Sequence, residues 1–195
     1  MGKVVFNISV SLDGFVESPV DGVDRLFRWY FNGDTEVPFA DDLTFKVSAA
    51  SAALFRESWP TIGADITGRR NFDVANAWSG KPPLGVPCIV LTHRIPQEWV
   101  YAGSPFTFVT DGIENAVATA KRLAGDKHVA VSTPSVMQQC LRAGLLDEIT
   151  LDLVPVLLGE GTKLFDHLPP AGVNLEQVDT VIGAGVTHLR YRVIK

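Results

Sequence analysis

The chain has 195 residues, 46% of them hydrophobic, and 17 Lys and Arg against 22 Asp and Glu give a formal charge of −5. That length is ample for one domain, residues 1–195, with a full core and short for two. The acidic balance provides no general attraction to phosphate backbones or anionic lipid, so nucleic acid and membrane surfaces are excluded as expected partners. Cys88 and Cys140 stand apart, without Cys-x-x-Cys spacing or a nearby His, which excludes a zinc or disulfide framework and leaves no metal site to expect. No basic start precedes a long apolar segment, and no apolar run is long enough to cross a bilayer, so a cytoplasmic protein is expected.

Lys3–Ser11 alternates, with Val4, Phe6, Ile8 and Val10 on one face, and reads as the first strand. Asp13-Gly14 ends it as a turn pair. From Val16 to Ala40 the chain is rich in Gly, Pro, Asp and aromatics (Trp29, Tyr30, Phe31) without clear periodicity. Such a stretch is either a lid or binding loop, or an insertion whose aromatics pack onto the core. Leu43, Val47, Ala50 and Leu54 recur at helical spacing, so the pattern predicts a helix over Asp41–Glu57, with Asp41 and Asp42 at its amino end.

Thr61–Thr67 reads as a short strand, and Gly68 marks the bend into a helix whose first turn carries Arg69, Arg70 and Asn71. Backbone N–H groups and guanidinium forks at that place suit a phosphate, although arginines at a helix start are also ordinary surface residues. The strand in VPCIVLTHR ends in Thr92-His93-Arg94, a second basic strand end in an acidic chain. FTFV is a further strand, and Asp111-Gly112 opens an amphipathic helix with Ile113, Ala116, Val117, Ala120 and Leu123 inward.

The stretch Asp126–Phe165 then reads as a β-α-β unit. HVAV is a buried strand, Thr133-Pro134 caps a helix bearing Val136, Met137, Cys140 and Leu141, and Gly144 ends it. The Ser132–Ser135 turn falls at the carboxyl edge of the sheet, where open α/β sheets hold ligands. EITLDLVPVLL is the second strand, with Pro155 implying a bulge or edge. Two alternating runs around Gly183-Ala184-Gly185 form an antiparallel hairpin, and His188 within it reads as a cross-strand partner. No G-x-G-x-x-G fingerprint opens a helix, and Walker, G-x-S-x-G and H-E-x-x-H motifs are absent.

The order of the strings SLDGF, GRRNFD, VLTHR, VAVSTPSVMQQCL and LLDEITLDLVPVLLGEGTKLF, followed by a closing hairpin, resembles the dihydrofolate-reductase-like superfamily. Within it the match is to the branch containing the reductase domain of riboflavin biosynthesis (RibD C-terminal-domain-like), and it leaves only Val16–Ala40 uncovered. The resemblance implies a three-layer α/β/α fold with a mostly parallel central sheet and a C-terminal antiparallel hairpin, in a chain that forms homodimers. It implies an NADPH-dependent reductase of a small heteroaromatic or carbonyl substrate, similar to the 5-amino-6-(5-phosphoribosylamino)uracil reductase domain.

By that resemblance Gly68, Arg69, Arg70 and Asn71 meet the cofactor phosphates and Thr92, His93 and Arg94 surround the ribose 2′-phosphate. Asp13 is the candidate catalytic group, Gly14 borders the nicotinamide, and Trp78 walls the substrate cleft. At the cofactor turn, relatives usually carry Gly-Gly where this chain has Ser132-Thr133, followed by Pro134 and Ser135. Side chains there either fill space the cofactor needs or donate replacement hydrogen bonds from their hydroxyls. The second reading that follows is a non-catalytic binding or scaffold protein that kept the fold.

Overall fold

The computed structural model describes residues 2–40 and 43–195. In chain order the strands are β1 (Val4–Ser11), β2 (Phe15–Glu17), β3 (Thr35–Ala40), β4 (Leu43–Val47), β5 (Ile62–Gly68), β6 (Cys88–Leu91), β7 (Phe106–Val109), β8 (His128–Val131), β9 (Glu148–Val154), β10 (Thr162–Lys163), β11 (Leu175–Gly183) and β12 (Val186–Val193). The α-helices are α1 (Asp24–Phe27), α2 (Ala49–Ser58), α3 (Arg69–Val74), α4 (Ile113–Ala124) and α5 (Pro134–Arg142). Together they make a mixed α/β fold whose large sheet is mostly parallel and ends in the antiparallel hairpin β11–β12. Two compact units divide the chain: one takes the residues to Phe6, Pro60–Asp147 and Lys195, the other Asn7–Trp59 and Glu148–Ile194.

In the first unit every strand pairing is parallel: Val4–Phe6 of β1 with β8, β8 with β5, β5 with β6, and β6 with β7. Strands so placed are covered on both faces, which is why β5, β6 and β8 read as apolar runs rather than alternations. Helix α4 turns Ile113, Ala116, Val117, Ala120 and Ala124 inward, whereas Leu123, expected there, is exposed. Helix α5 buries Val136, Met137, Cys140 and Leu141 as its spacing implies, and Gly144 follows at φ +65°, a left-handed ending suited to glycine. Cys88 and Cys140 are fully buried, and burial pushes the Cys140 thiol up to about 12, so both are inert core residues.

The second unit is antiparallel in its hairpin: β11 pairs with β12, and β12 with β9. Its core joins Leu26, Trp29, Val37, Phe45, Val47, Ala52 and Phe55. Trp29 is 1% exposed and donates its indole N–H to Ser9 Oγ at 3.1 Å. The Val16–Ala40 stretch is therefore the packed insertion of the two readings, carrying part of β2, all of α1 and β3, and a 3-10 turn at Arg28–Phe31.

Two boundaries differ from the sequence reading. The helix expected over Asp41–Glu57 is a strand and then a helix, because Phe45 and Val47 alternate inward with exposed Thr44 and Lys46. Asp41 and Asp42 lie outside the described residues. The helix begins after Ser48, whose Oγ accepts the Ser51 N–H at 3.2 Å, and buries Ser51, Ala52 and Phe55. Strand β9 ends at Val154, before Pro155, which has no N–H to continue a ladder.

Candidate functional site

At the carboxyl ends of β5, β6, β7 and β8 the first unit opens a cleft of about 580 Å³. Each strand end supplies part of its lining: Gly68 and Arg69 after β5, Thr92, His93 and Arg94 after β6, Thr110 and Gly112 after β7, and Ser135, Val136 and Gln139 after β8. The volume falls within the range of small-molecule sites, and the position is where parallel sheets bind ligands. Thr92 folds its loop locally, its hydroxyl donating to Arg94 O at 2.8 Å and accepting the Arg94 N–H at 3.2 Å. Arg69 crosses to the same loop, its Nη1 donating to Arg94 O at 2.6 Å, while its Nε pairs with Asp73 at 2.7 Å.

This donor set is suited to an anion. Arg69 and Arg94 bring guanidinium groups, and the exposed His93 adds an imidazole. The amino ends of α4 and α5, behind Gly112 and Thr133, receive no hydrogen bond from a capping side chain, which leaves first-turn N–H groups for an anion, one fewer in α5 because it begins with Pro134. A dinucleotide with an additional phosphate fits the charge and volume. Sequence reading identified the basic residues; it missed Leu91, Thr110, Gly112, Val136 and Gln139. The strand-turn-helix at FTFV-Thr110-Asp111-Gly112 is the same signature that singled out Gly68, and would have found two of them.

Of the other expected cofactor residues, Arg70 is exposed and does not line the cleft, and Asn71 turns its amide back to Thr67 Oγ1 at 3.0 Å. Ser132, Thr133 and Pro134 also stand behind the lining, which only Ser135 of that turn reaches. The Ser132 hydroxyl donates to Asp65 Oδ2 at 3.1 Å, and Thr133 Oγ1 accepts the Gly68 N–H at 3.1 Å. Both side chains point into the protein, and Thr133 sits at φ −136°, ψ 143°, an extended conformation open to any residue. The turn thus needs no glycine. Gly68 is the tight position instead, since a Cβ there would lie 3.3 Å from Thr133 Oγ1.

Asp65 is the residue sequence reading passed over. It is 4% exposed on β5, and burial raises its carboxyl to about 7, against the opposing influence of the Ser132 hydroxyl and the Ile66 backbone.

Trp78 is placed in an aromatic cluster with Phe72, Phe106 and Trp99, stacked on Phe106 at 6.4 Å, and is not part of the cleft lining. Its segment is unusual: Asn76, Ala77, Trp78 and Ser79 all take φ between 46° and 52°, a left-handed run that L-residues adopt at a cost.

In the second unit Asp13 and Gly14 close the turn after β1. The Asp13 carboxylate accepts the Ser11 hydroxyl at 2.6 Å, the Gly159 N–H at 2.7 Å and the Leu158 N–H at 3.1 Å. Those bonds, the Ser11 hydroxyl foremost, hold it at about 2. A carboxylate so bonded is ionised at neutral pH and serves as an acceptor, not a proton donor. Gly14 at φ +86° makes the turn, and its carbonyl receives the Leu164 N–H at 2.9 Å.

The same unit assembles a Ser-His-Asp series that sequence could not. His188 is the cross-strand partner of Asp152, as expected, with Nδ1 2.6 Å from Asp152 Oδ1 and Nε2 2.8 Å from Ser51 Oγ. Asn7 donates to the second Asp152 oxygen at 3.1 Å, and Ser51 continues to Ser48 Oγ at 3.0 Å. Ser51 is 0% exposed, so no acyl group can reach it, and the series is a satisfied buried network rather than a hydrolytic triad.

The family model for the RibD C-terminal domain matches residues 2–187. The uncharacterized protein YyaP of Bacillus subtilis (strain 168) is 25% identical over 199 residues, covering 97% of this chain and 94% of that protein. Among solved structures, a putative riboflavin biosynthesis protein from Shewanella sp. PV-4 superposes with a TM-score of 0.72 at 20% identity, over 100% of both chains. Dihydrofolate reductase from Enterococcus faecalis, complexed with NADP(H), superposes at 0.63 with 15% identity, over 100% of this chain and 98% of that one. At such identities the structural matches establish the dihydrofolate-reductase-like fold. Among the described residues no helix is long and apolar enough to cross a membrane.

Proposed function

Because the chain belongs to the RibD C-terminal domain family, we propose that it is an NADPH-dependent reductase of a small heteroaromatic or carbonyl compound, acting in the cytoplasm. The cleft at the four parallel strand ends is the observation that carries this reading. In it Arg69 and Gly68 would take the cofactor phosphates, with the amino end of α4 at Gly112 and that of α5 at Ser135 adding N–H donors. Thr92, His93 and Arg94 would take the 2′-phosphate, favouring NADPH over NADH. Bound there, the cofactor supplies the hydride, and the protein orients it.

Arg70 and Asn71 act through the first turn of α3, Arg70 as a long-range charge and Asn71 by fixing the end of β5. Asp13 anchors the turn at Leu158 and Gly159 and keeps Gly14 in place, so the proton that completes reduction comes from water. Trp78 supports the first unit by packing.

Melting temperature followed while NADPH is added tests the reading. At a hundredfold excess over its dissociation constant the cofactor should stabilise the protein by about 2.7 kcal/mol, and NADH by less at the same concentration. A specific observation favours the second reading, a binding protein without catalysis: Thr133 Oγ1 already accepts the Gly68 N–H, withdrawing one donor from the phosphate end of the cleft. Absence of any NADPH shift would reject the NADPH-dependent reductase and leave the second reading standing.

A further inference from the structure

Asp73 does not line the cleft, but it is bonded to a residue that does. Its carboxylate accepts the Arg69 Nε–H at 2.7 Å, one helical turn back on α3, and the same guanidinium reaches away from α3 to give an Nη1–H to Arg94 O at 2.6 Å. No other hydrogen bond holds Arg69 among the described residues, so its remaining N–H groups stay available to a ligand. Arg94 O is the point on which the loop after β6 turns. It also accepts the Thr92 hydroxyl at 2.8 Å, and the buried Thr92 is tied to β7 by its N–H to Val109 O at 3.0 Å. The loop is thus held from one side by its own threonine and from the other by Arg69, with the exposed His93 and Arg94 carried between. A surface ion pair whose side chains are 35% and 52% exposed contributes little to stability. Its effect is geometric, because a guanidinium fixed at Nε by a carboxylate keeps Nη1 aimed at one carbonyl.

We propose that Asp73 is a specificity-determining positioning residue: by holding Arg69 against Arg94 O it fixes His93 and Arg94 at the rim of the cleft, and so sets the preference for a nucleotide bearing one more phosphate. The identity of the ligand rests on the reductase reading. Two effects of Asp73 oppose each other. Its negative charge, beside Arg69, weakens the binding of every anion in the cleft, the more highly charged one most. Its hydrogen bond orders the loop, and a charge-assisted contact to a phosphate that is lost to disorder costs about tenfold in affinity. Water and salt screen the first effect at a half-exposed carboxylate, whereas the second depends only on where the guanidinium stands, so ordering wins. The sign of the change on removing Asp73 therefore tells the two apart. Any contact of Arg69 with a pyrophosphate is common to NADPH and NADH and cancels in the ratio of their affinities.

Dissociation constants for NADPH and NADH, measured by calorimetric titration of the full chain, give that ratio. Asp73→Ala should lower the preference for NADPH about tenfold, while its melting temperature stays within about 2 °C of wild type. Asp73→Asn, which keeps an acceptor and loses the charge, should lower the preference less, and Asp73→Glu, which restores a carboxylate at the same spacing, should recover most of it. Arg69→Lys should also lower it, because an ammonium lacks the fork that spans Asp73 and Arg94 O, and adding Asp73→Ala to that variant should lower it no further. A preference that is unchanged or raised in Asp73→Ala would overturn the proposal and leave the reductase standing. Adenosine 2′,5′-bisphosphate against adenosine 5′-monophosphate repeats the comparison without the nicotinamide. A wild-type protein that ignores NADPH and NADH but prefers the bisphosphate, and loses that preference in Asp73→Ala, would uphold the positioning role and reject the reductase. Equal binding of NADPH and NADH by wild type would overturn the proposal, and failure of all these nucleotides to bind would reject both readings.

Discussion

Asp13 shows how a residue chosen for its chemistry acquires a different role from its bonds. The Ser11 hydroxyl and the amides of Gly159 and Leu158 all donate to it, and they hold the carboxyl at about 2, below the ordinary 3.8. A depressed carboxyl stabilises the fold fully above its unfolded value, and that contribution disappears as the pH falls through the folded value. Asp13→Asn should therefore melt below wild type at neutral pH, and the gap should close between about pH 4 and about pH 2; equal melting temperatures at pH 7 would refute the anchor. Ser51 makes the complementary case. Its triad geometry is complete, yet at 0% exposure it can only stabilise. Ser51→Ala leaves His188 Nε2 unpartnered in the interior and should destabilise by about 1–3 kcal/mol in urea unfolding. Ester hydrolysis by wild type and variant should be equally negligible.

Elements were legible where one periodicity ruled and illegible where two coincided. The apolar runs of β5, β6 and β8 and the spacing of α5 needed nothing beyond pattern, because parallel strands are buried on both faces and helix α5 on one. Leu43 and Val47 are four apart and also flank Phe45 at steps of two, so they satisfy both a helix and a strand. Pairing with β3 decided for the strand, a long-range contact that a local window cannot contain. Ser48 carries the distinction into an experiment. As the cap of α2, its replacement by Ala should cost about 1 kcal/mol, whereas a serine in the interior of a helix running from Asp41 would lose almost nothing. The cleft divides in the same way: basic residues at strand ends announce themselves, but nothing in the sequence marks Asp65, inside the β5 strand, as a buried carboxyl.

For the whole molecule, the open question of assembly turns on the hairpin. Strand β11 hydrogen-bonds only to β12 among the described residues, so the other edge of this nine-residue strand presents the alternate backbone N–H and C=O groups that point away from β12. Long free edges invite a second strand, and proteins usually blunt them with charge or proline. Glu176 and Asp179 supply some charge and the register shift between Gln177 and Asp179 some irregularity, yet Leu175, Val178 and Ile182 are all exposed, Ile182 at 78%. Apolar side chains left in water along a free edge are the mark of a surface that is covered in solution. A dimer of the 21.2 kDa chain is therefore expected, joined through β11. Light scattering behind a sizing column should return twice the chain mass for wild type and the chain mass for Val178→Lys with Ile182→Lys. Both substitutions lie on exposed positions and leave the pairing of β11 with β12 intact, so the double variant should melt as a folded protein. A wild-type mass of one chain would remove the hairpin as the interface.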